Sequence, residues 1–489
     1  MRKPVVIGLI DPTPQVLEIT DNLPSNELRS SITHSLITSY NLQESCDMIA
    51  IRRGKVTRKL LQSFHDKKYI RFLMKSRPQL EEDYNDYKLG NKRNINDGWE
   101  SCRKIRKIGN ARPLSSKEDE QKKDEEGMNN ETPDEDKQDE DKLALSEEDL
   151  SSEDEPSSSE SENSIDLNDY STNDEKHQIL EKYSLIYDCP LFPTLPDYIK
   201  IVTSSTIESC KWLVKQSTNN CQPIAINWLG GRHHAKRAKA SGFCYVNDIV
   251  LGIQYLRTTK YKKVIYIDLD LHYGDGVAEA FKYSNKVVTV SFHYHDAGLF
   301  FPFCGSVEER GQGNGENYCV NIPLKQGLSN GNFEKLVKSI ITPLIEEFGG
   351  VNDCVIVLQC GLDGLFNDQH FKKWNLSIDG MVSTIIKHIV TNEKQFPVVL
   401  LGGGGYSNTN SSRFWCFMLK ELSKVSNPLN NVDLTNIPME EKFLDLYENE
   451  SHLFWGVNNS LQKASMRKDL NSTEYLQEIV KIIRDRNIK

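Results

Sequence analysis

Short runs rich in Val and Ile recur along the chain at 4–10, 46–51, 223–229, 263–271, 287–293, 319–324, 353–361 and 396–401. Most are continuously apolar rather than alternating, the pattern of strands buried on both faces. Between them lie stretches with helical spacing, such as 243–257 and 332–348. Strands that alternate with helices predict an α/β fold with a mainly parallel central sheet of about eight strands. The run 319–324 carries the weakest strand signal and reads equally as an edge element. Residues 25–75 predict a helix, a strand and a second helix around Leu60–Leu73.

From about Arg77 to Lys176 the pattern stops. Ser, Glu, Asp, Lys and Asn dominate, and few apolar residues remain to offset the entropy of ordering. Structural signals resume afterwards, and residues 1–75 alone are too few and too open to stand independently. The expectation is one domain formed by 1–76 and 177–489, interrupted by a disordered acidic insertion at 77–176. A linker between two domains is the competing reading. Charge sharpens the division. Lys117 to Asp166 holds 22 acidic and 5 basic residues, a net of −17 against −10 for the whole chain, so the remainder is +7. Such a segment reads first as a solvated loop; the alternative is that it attracts basic partners or is a regulated site, since Ser146-Glu-Glu-Asp and Ser152-Glu-Asp-Glu suit acid-directed kinases. A mildly basic body without a basic stripe argues against nucleic-acid binding. Eleven cysteines, an odd number with no CxxC pair, fit reduced thiols in cytosol or nucleus. The apolar start ends at Asp11-Pro12 and reads as a first strand, and no stretch is long enough to span a bilayer.

Chemistry concentrates where strands end. The segment Lys263-Val-Ile-Tyr-Ile-Asp-Leu-Asp-Leu-His-Tyr-Gly-Asp-Gly276 runs a strand into Asp268, Asp270 and His272, whose spacing of two predicts one shared face. Three ionisable groups on a buried face are costly without a cation. In an open parallel sheet, ligands gather at the carboxyl ends of strands. Val355–Gly361 leads to Asp363, and Val398–Leu401 leads to Gly402-Gly-Gly-Gly-Tyr406. Pro223–Leu229 leads through Gly230-Gly231 to Arg232-His233-His234. Neighbouring strand residues point opposite ways, so the glycine break is what lets both histidines face one cleft. These ends offer two carboxylates and a histidine for one cation, plus two further histidines and a tyrosine. An Asp/His/Asp set suits Zn²⁺ with positions open for water and substrate. Two carboxylates leave a divalent site near neutral, which suits Fe²⁺ as well.

These residues resemble the zinc-dependent class I histone deacetylases, with their arginase/deacetylase-like fold. The matching motifs are Gly230-Gly-Arg-His-His-Ala-Lys236, Ala240-Ser-Gly-Phe-Cys-Tyr-Val-Asn-Asp248, Asp268–Gly276, Gln359-Cys-Gly-Leu-Asp363 and Gly402–Tyr406. Weaker matches include Arg29–Tyr40 and Tyr187-Asp-Cys-Pro190, and the fungal Hos-type branch is the most similar in kind. The resemblance implies hydrolysis of Nε-acetyl-lysine on proteins, with release of acetate. It implies Asp270, His272 and Asp363 as metal ligands, and His234 as general base and then acid, held by Asp275. His233 pairs with Asp268, and Tyr406 donates to the developing oxyanion. Gly242, Phe243 and Phe301 match the tunnel for the lysine stem, and Asp188 the rim carboxylate that holds the substrate backbone. Structural K⁺ ions are implied near Asp268, Asp270, His272, Ser291 and Phe292, and near Phe281, Ser284, Val287 and Tyr318.

The chain departs from the family pattern at several points. Tyr273 replaces a histidine beside the metal-binding one, and Arg232 stands where Leu or Trp precedes the histidine pair. His370 falls near a Leu or Met lining the tunnel. Gln369 and Thr409 stand where some members place arginines for an inositol phosphate that bridges a corepressor, which speaks against that partner mode. Acetylated histone tails are the family's default substrate, and an acetylated cohesin ring subunit is the alternative, in nucleus or cytoplasm. The rival readings are an acetylpolyamine deacetylase on the same fold and a catalytically inactive scaffold that binds acetyl-lysine. No second set of Asp/His ligands supports a two-manganese amidinohydrolase.

Overall fold

In the computed structural model, the described residues are 3–75, 173–350, 353–366, 368–455 and 466–486. Most of the expected insertion at 77–176 lies outside them, and described chain resumes in a helix Asn173–Lys182 that already contains Lys176.

Eight strands form one sheet: β1 (Val5–Asp11), β2 (Asp47–Ala50), β3 (Gln222–Asn227), β4 (Lys263–Asp268), β5 (Val287–Tyr294), β6 (Cys319–Leu324), β7 (Cys354–Gln359) and β8 (Val398–Leu401). Their order is β2-β1-β3-β8-β7-β4-β5-β6, and every pairing is parallel. All eight apolar runs are therefore strands, and 319–324 is both a strand and an edge. Alternate residues feed two cores. Ile224, Ile265, Ile267, Ile356 and Leu358 join the cluster holding Leu336 and Val337 of the helix Asn330–Phe348 and Phe414 and Met418 of Asn408–Ser426. Their neighbours Ala225, Val264, Tyr266, Val355 and Val357 join Ile249, Val250 and Ile253 of the helix Asp248–Thr258. Covering both faces removes the polar alternation that a half-exposed strand would show. Truncating one such isoleucine to Ala costs about 2–5 kcal/mol.

The expected helix 243–257 begins only at Asp248. Gly242 and Phe243 take φ of +52° and +64°, which no right-handed helix allows, and the Asn247 side chain caps the helix by accepting from Val250 N. The helix expected at Leu60–Leu73 is two, Arg58–Gln62 and Lys67–Leu73, because Asp66 caps the second through Lys68 N and Tyr69 N. The ten described cysteines are unpaired, and no described helix is long and apolar enough to cross a membrane.

Candidate active site

The sheet order has one consequence that matters most. β3, β8, β7 and β4 are consecutive, so the four strand ends that carry the histidine pair, the glycine run, Asp363 and Asp268–His272 open side by side.

β4 ends at Asp268, so Asp268, Asp270 and His272 do not share a strand face as expected. Beyond it the chain turns through two carboxylates that each accept the backbone N–H two residues on: Asp268 Oδ1 from Asp270 (3.1 Å) and Asp270 Oδ1 from His272 (3.0 Å). Asp363 Oδ1 accepts from Leu271 N at 2.8 Å and pins the same turn from β7. These bonds aim Asp270, His272 and Asp363 at one point. Their potential ligand atoms lie within 4.8 Å of one another, and all three residues are buried. His272 Nδ1 is 3.2 Å from Asp270 Oδ1 and 2.8 Å from Asp363 Oδ2. Burial and the charge of Asp270 push the Asp363 carboxyl up to about 7. Two buried carboxylates and an imidazole aimed at one point form a donor set that a divalent ion such as zinc or iron(II) would complete. Glycines make the approach possible: a Cβ at Gly361 would stand 2.0 Å from Asp270 Oδ2, and one at Gly404 2.8 Å from Asp363 Oδ2.

The histidine pair sits beside this set. Gly231, at φ +93°, turns the chain after β3 so closely under Gly402 that a Cβ would meet its carbonyl oxygen at 2.0 Å. Asp248 holds the turn by accepting from Gly231 N and Arg232 N. Both histidines thereby line one cavity with Asp270, His272, Gly242, Phe243 and Tyr406. Each donates its Nδ1–H to a carboxylate 2.7 Å away, Asp268 for His233 and Asp275 for His234. Their electrostatics differ. Burial alone would lower His233, but Asp268 and Asp270 outweigh it and raise the imidazole to about 9. His234 falls to about 3, through burial and then the adjacent charge of His233, with rings 3.9 Å apart. Asp275 is also bound by Lys236 at 2.6 Å, and that ion pair weakens its pull on His234.

Tyr406 is fixed by its backbone, with its N–H donated to buried Asp368 Oδ2 at 2.7 Å. Burial and the nearby charges of Asp363 and Asp270 hold its hydroxyl far above the usual range, so it keeps its proton. The ring stands against Phe243 and Phe371 and stacks on His370 at 4.7 Å. Phe301 lies edge-on to His234 at 4.9 Å, beside Gly242. Asp188 Oδ2 accepts from Gly242 N at 2.9 Å, and burial raises its carboxyl to about 6. All the expected tunnel residues thus stand near the cavity. Asp268 and Ser291 are cross-strand partners at the ends of β4 and β5, and Phe292 follows Ser291. Of the second K⁺ set, the Phe281 carbonyl accepts from Ser284 N, the Tyr318 carbonyl from Thr289 N, and Val287 opens β5.

Several contributors escaped the sequence reading. Arg29 reaches across to donate to the carbonyls of Gly403, Gly404 and Gly405 at 3.0, 3.3 and 3.1 Å. Gln359 Nε2 donates to Asp270 Oδ2 at 3.1 Å. Phe300 stacks on His272 at 4.9 Å, and Phe371 meets it edge-on at 4.5 Å. Asp368 accepts from the N–H groups of His370 and Phe371 as well as Tyr406. Gln359 and Arg29 stand in matched motifs that gave them no role, and Asp368 was in reach of a local signal as an acidic residue five after Asp363.

Comparison with known proteins agrees with this geometry. Residues 23–422 match the histone deacetylase domain. Histone deacetylase HOS1 of Saccharomyces cerevisiae is 36% identical over 320 residues, covering 62% of this chain and 65% of that protein. Histone deacetylase 8 of Xenopus laevis is 35% identical over 313 residues, 64% of this chain and 87% of that protein. Human histone deacetylase 1 is 36% identical over 302 residues, 61% of this chain and 56% of that protein. The matched part thus spans somewhat over half of the human protein and just under two thirds of the yeast one. The chain belongs to the histone deacetylase family, on its class I side.

Proposed function

We propose that the protein hydrolyses Nε-acetyl-lysine on other proteins with one divalent metal held by Asp270, His272 and Asp363. The observation that carries this reading is the meeting, in one buried cavity, of that ligand set with two histidine–carboxylate pairs and a protonated tyrosine. Held by Asp270, His272 and Asp363, a zinc or alternatively an iron(II) ion would supply Lewis acidity for the acetyl carbonyl and for the attacking water. His234, held neutral, takes that water's proton and returns it to the lysine nitrogen as the amide bond breaks. Asp275 fixes its Nδ1 and leaves Nε2 for the transfer. His233, protonated between Asp268 and Asp270, adds positive charge beside the reacting carbonyl. The Tyr406 hydroxyl donates to the oxyanion. Gly242, Phe243 and Phe301 hold the aliphatic stem, and ionised Asp188 accepts from the substrate backbone.

Histone tails are the first candidate substrate, an acetylated cohesin subunit the second, in nucleus or cytoplasm. The K⁺ sites around Ser291 and around Phe281–Val287 with Tyr318 belong to the same proposal as structural supports. The test is turnover of an acetyl-lysine peptide by metal-loaded protein, against acetylated polyamine as the rival. Preference for the polyamine, or binding of the peptide without turnover by a fully loaded sample, would refute the proposal.

A further inference from the structure

The basic charge of the body, read above as having no stripe, is gathered in one place. Arg52 to Lys75 holds nine basic residues and one acidic, a net of +8. Everything else outside Lys117–Asp166 therefore sums to −1. Within this stretch Arg58, Lys59, Lys67 and Lys68 are exposed on the helices Arg58–Gln62 and Lys67–Leu73, which pack against each other. Arg52 and Arg53 have carboxylates beside them, Glu208 and Asp197. Asp66, the one acid of the stretch, caps the second helix through Lys68 N and Tyr69 N. The turn between the two helices also receives the loop that follows the histidine pair. Asp66 N donates to Arg237 O at 2.8 Å, and His65 Nδ1 lies 3.0 Å from Lys236 O. That loop sets exposed Arg237 and Lys239 beside the helices, while Lys236 is held by Asp275 and Glu279. Like charges gathered this closely repel one another and attract an anionic partner.

We propose that this basic surface docks the chain's own acidic segment, Lys117–Asp166, whose net charge is −17. Two observations select it over other polyanions. The first is where the chain re-enters the fold. Only residues 167–172 separate Asp166 from Asn173, a reach of at most about 25 Å. The helix Asn173–Lys182 adds about 15 Å. It leads into Tyr183, whose ring packs on Tyr69 and Phe72 of the helix Lys67–Leu73 at 5.3 and 5.1 Å. The Tyr183 carbonyl accepts from Ala240 N, next to Lys239. The acidic segment is therefore tethered beside both parts of the surface. A tether of this length gives an effective concentration of about a millimolar, well above that of a free partner. The second observation is the balance of charge, −17 against +8. Docking cancels the positive surface and leaves an excess of negative charge over it, which repels phosphate backbones.

The experiment treats the full chain with a zero-length carbodiimide, which joins a lysine to a carboxylate only where the two touch, and maps the products by mass spectrometry. The controls are Lys335, Lys338 and Lys481, which are also exposed but stand on the helices Asn330–Phe348 and Thr473–Arg484. At low salt, Lys59, Lys67, Lys68 and Lys239 couple to carboxylates of Lys117–Asp166 about fivefold more than the controls do, and about 0.5 M salt erases the excess. Lys67→Glu combined with Lys68→Glu lowers coupling at Lys59 and Lys239 by about fivefold, whereas Lys67→Arg with Lys68→Arg preserves it. Thermal unfolding of both double variants separates lost docking from misfolding. A DNA duplex of about 20 base pairs binds the full chain weakly, and equally so in the Glu variant. Coupling spread evenly over the surface and control lysines would overturn the proposal. Duplex binding that depends on Lys67 and Lys68, with no excess coupling to the acidic segment, would also overturn it and give the surface to nucleic acid.

Discussion

The floor and the rim of the active-site cavity are built by different means. On the floor, Asp268, Asp270, His272 and Asp363 are almost wholly buried and bonded to the backbone of neighbouring turns. Adjacent strand ends place them, and glycines at 361 and 404 leave no room for any side chain but these. At the rim, Asp188 arrives from the far side of the insertion, His370 is exposed, and Phe243 sits in a left-handed turn. The floor is over-determined, with each group held by several others. The rim is held by loop contacts such as Gly242 N to Asp188 and the His370 ring on Tyr406. Changes on the floor should therefore abolish chemistry, and changes at the rim should adjust which substrate enters.

The largest effect is expected from the ligands. Asp270→Ala, His272→Ala or Asp363→Ala should each eliminate turnover and lower bound metal, measured by elemental analysis beside a peptide assay. A variant that loses metal but keeps its rate would break the distinction. Next comes Tyr406→Phe, which removes the proposed oxyanion donor and should lower kcat by about 100- to 1,000-fold with KM little changed. An equal rise in KM would move Tyr406 from floor to rim. Arg29→Met should follow, with a smaller fall in kcat, because it supports Tyr406 only through the carbonyls of Gly403–Gly405. Its melting temperature should drop too, since three carbonyls lose a charged donor.

The smallest effects belong to the rim. Burial raises the Asp188 carboxyl to about 6, so it is ionised above that pH and protonated below it. KM for an acetyl-lysine peptide should rise as pH falls through about 6 in wild type, and Asp188→Asn should have a high KM that is flat across the same window. A pH-dependent KM in Asp188→Asn would assign the titration elsewhere. His370→Leu removes a ring stacked on Tyr406 at 4.7 Å while the Tyr406 backbone stays fixed by Asp368, so it should leave kcat within about a factor of three and change mainly the ranking of inhibitors.

What could be read in the sequence follows the same division. The eight strands were legible because both faces are covered and each run is continuously apolar. The floor was legible because its residues follow strand ends within a few positions, and parallel topology brings those ends together. Helix boundaries were less so: Asn247 and Asp66 cap helices inside stretches whose periodicity runs on through them. Asp270 and His272 were placed on a strand face, whereas successive carboxylate-to-backbone turns carry them. Arg29 lies 374 positions from Gly403, and no local pattern connects them. Phe300 and Phe371 read as ordinary apolar loop residues until His272 is seen between them.

The most direct test of the account titrates metal into stripped protein while acetate release from an acetyl-lysine peptide is followed. Turnover should be absent without metal, rise in proportion to zinc or iron(II), and reach its plateau at about one ion per chain, as a single Asp/His/Asp site requires. Full activity in the metal-free sample, or a plateau at two ions, would contradict it.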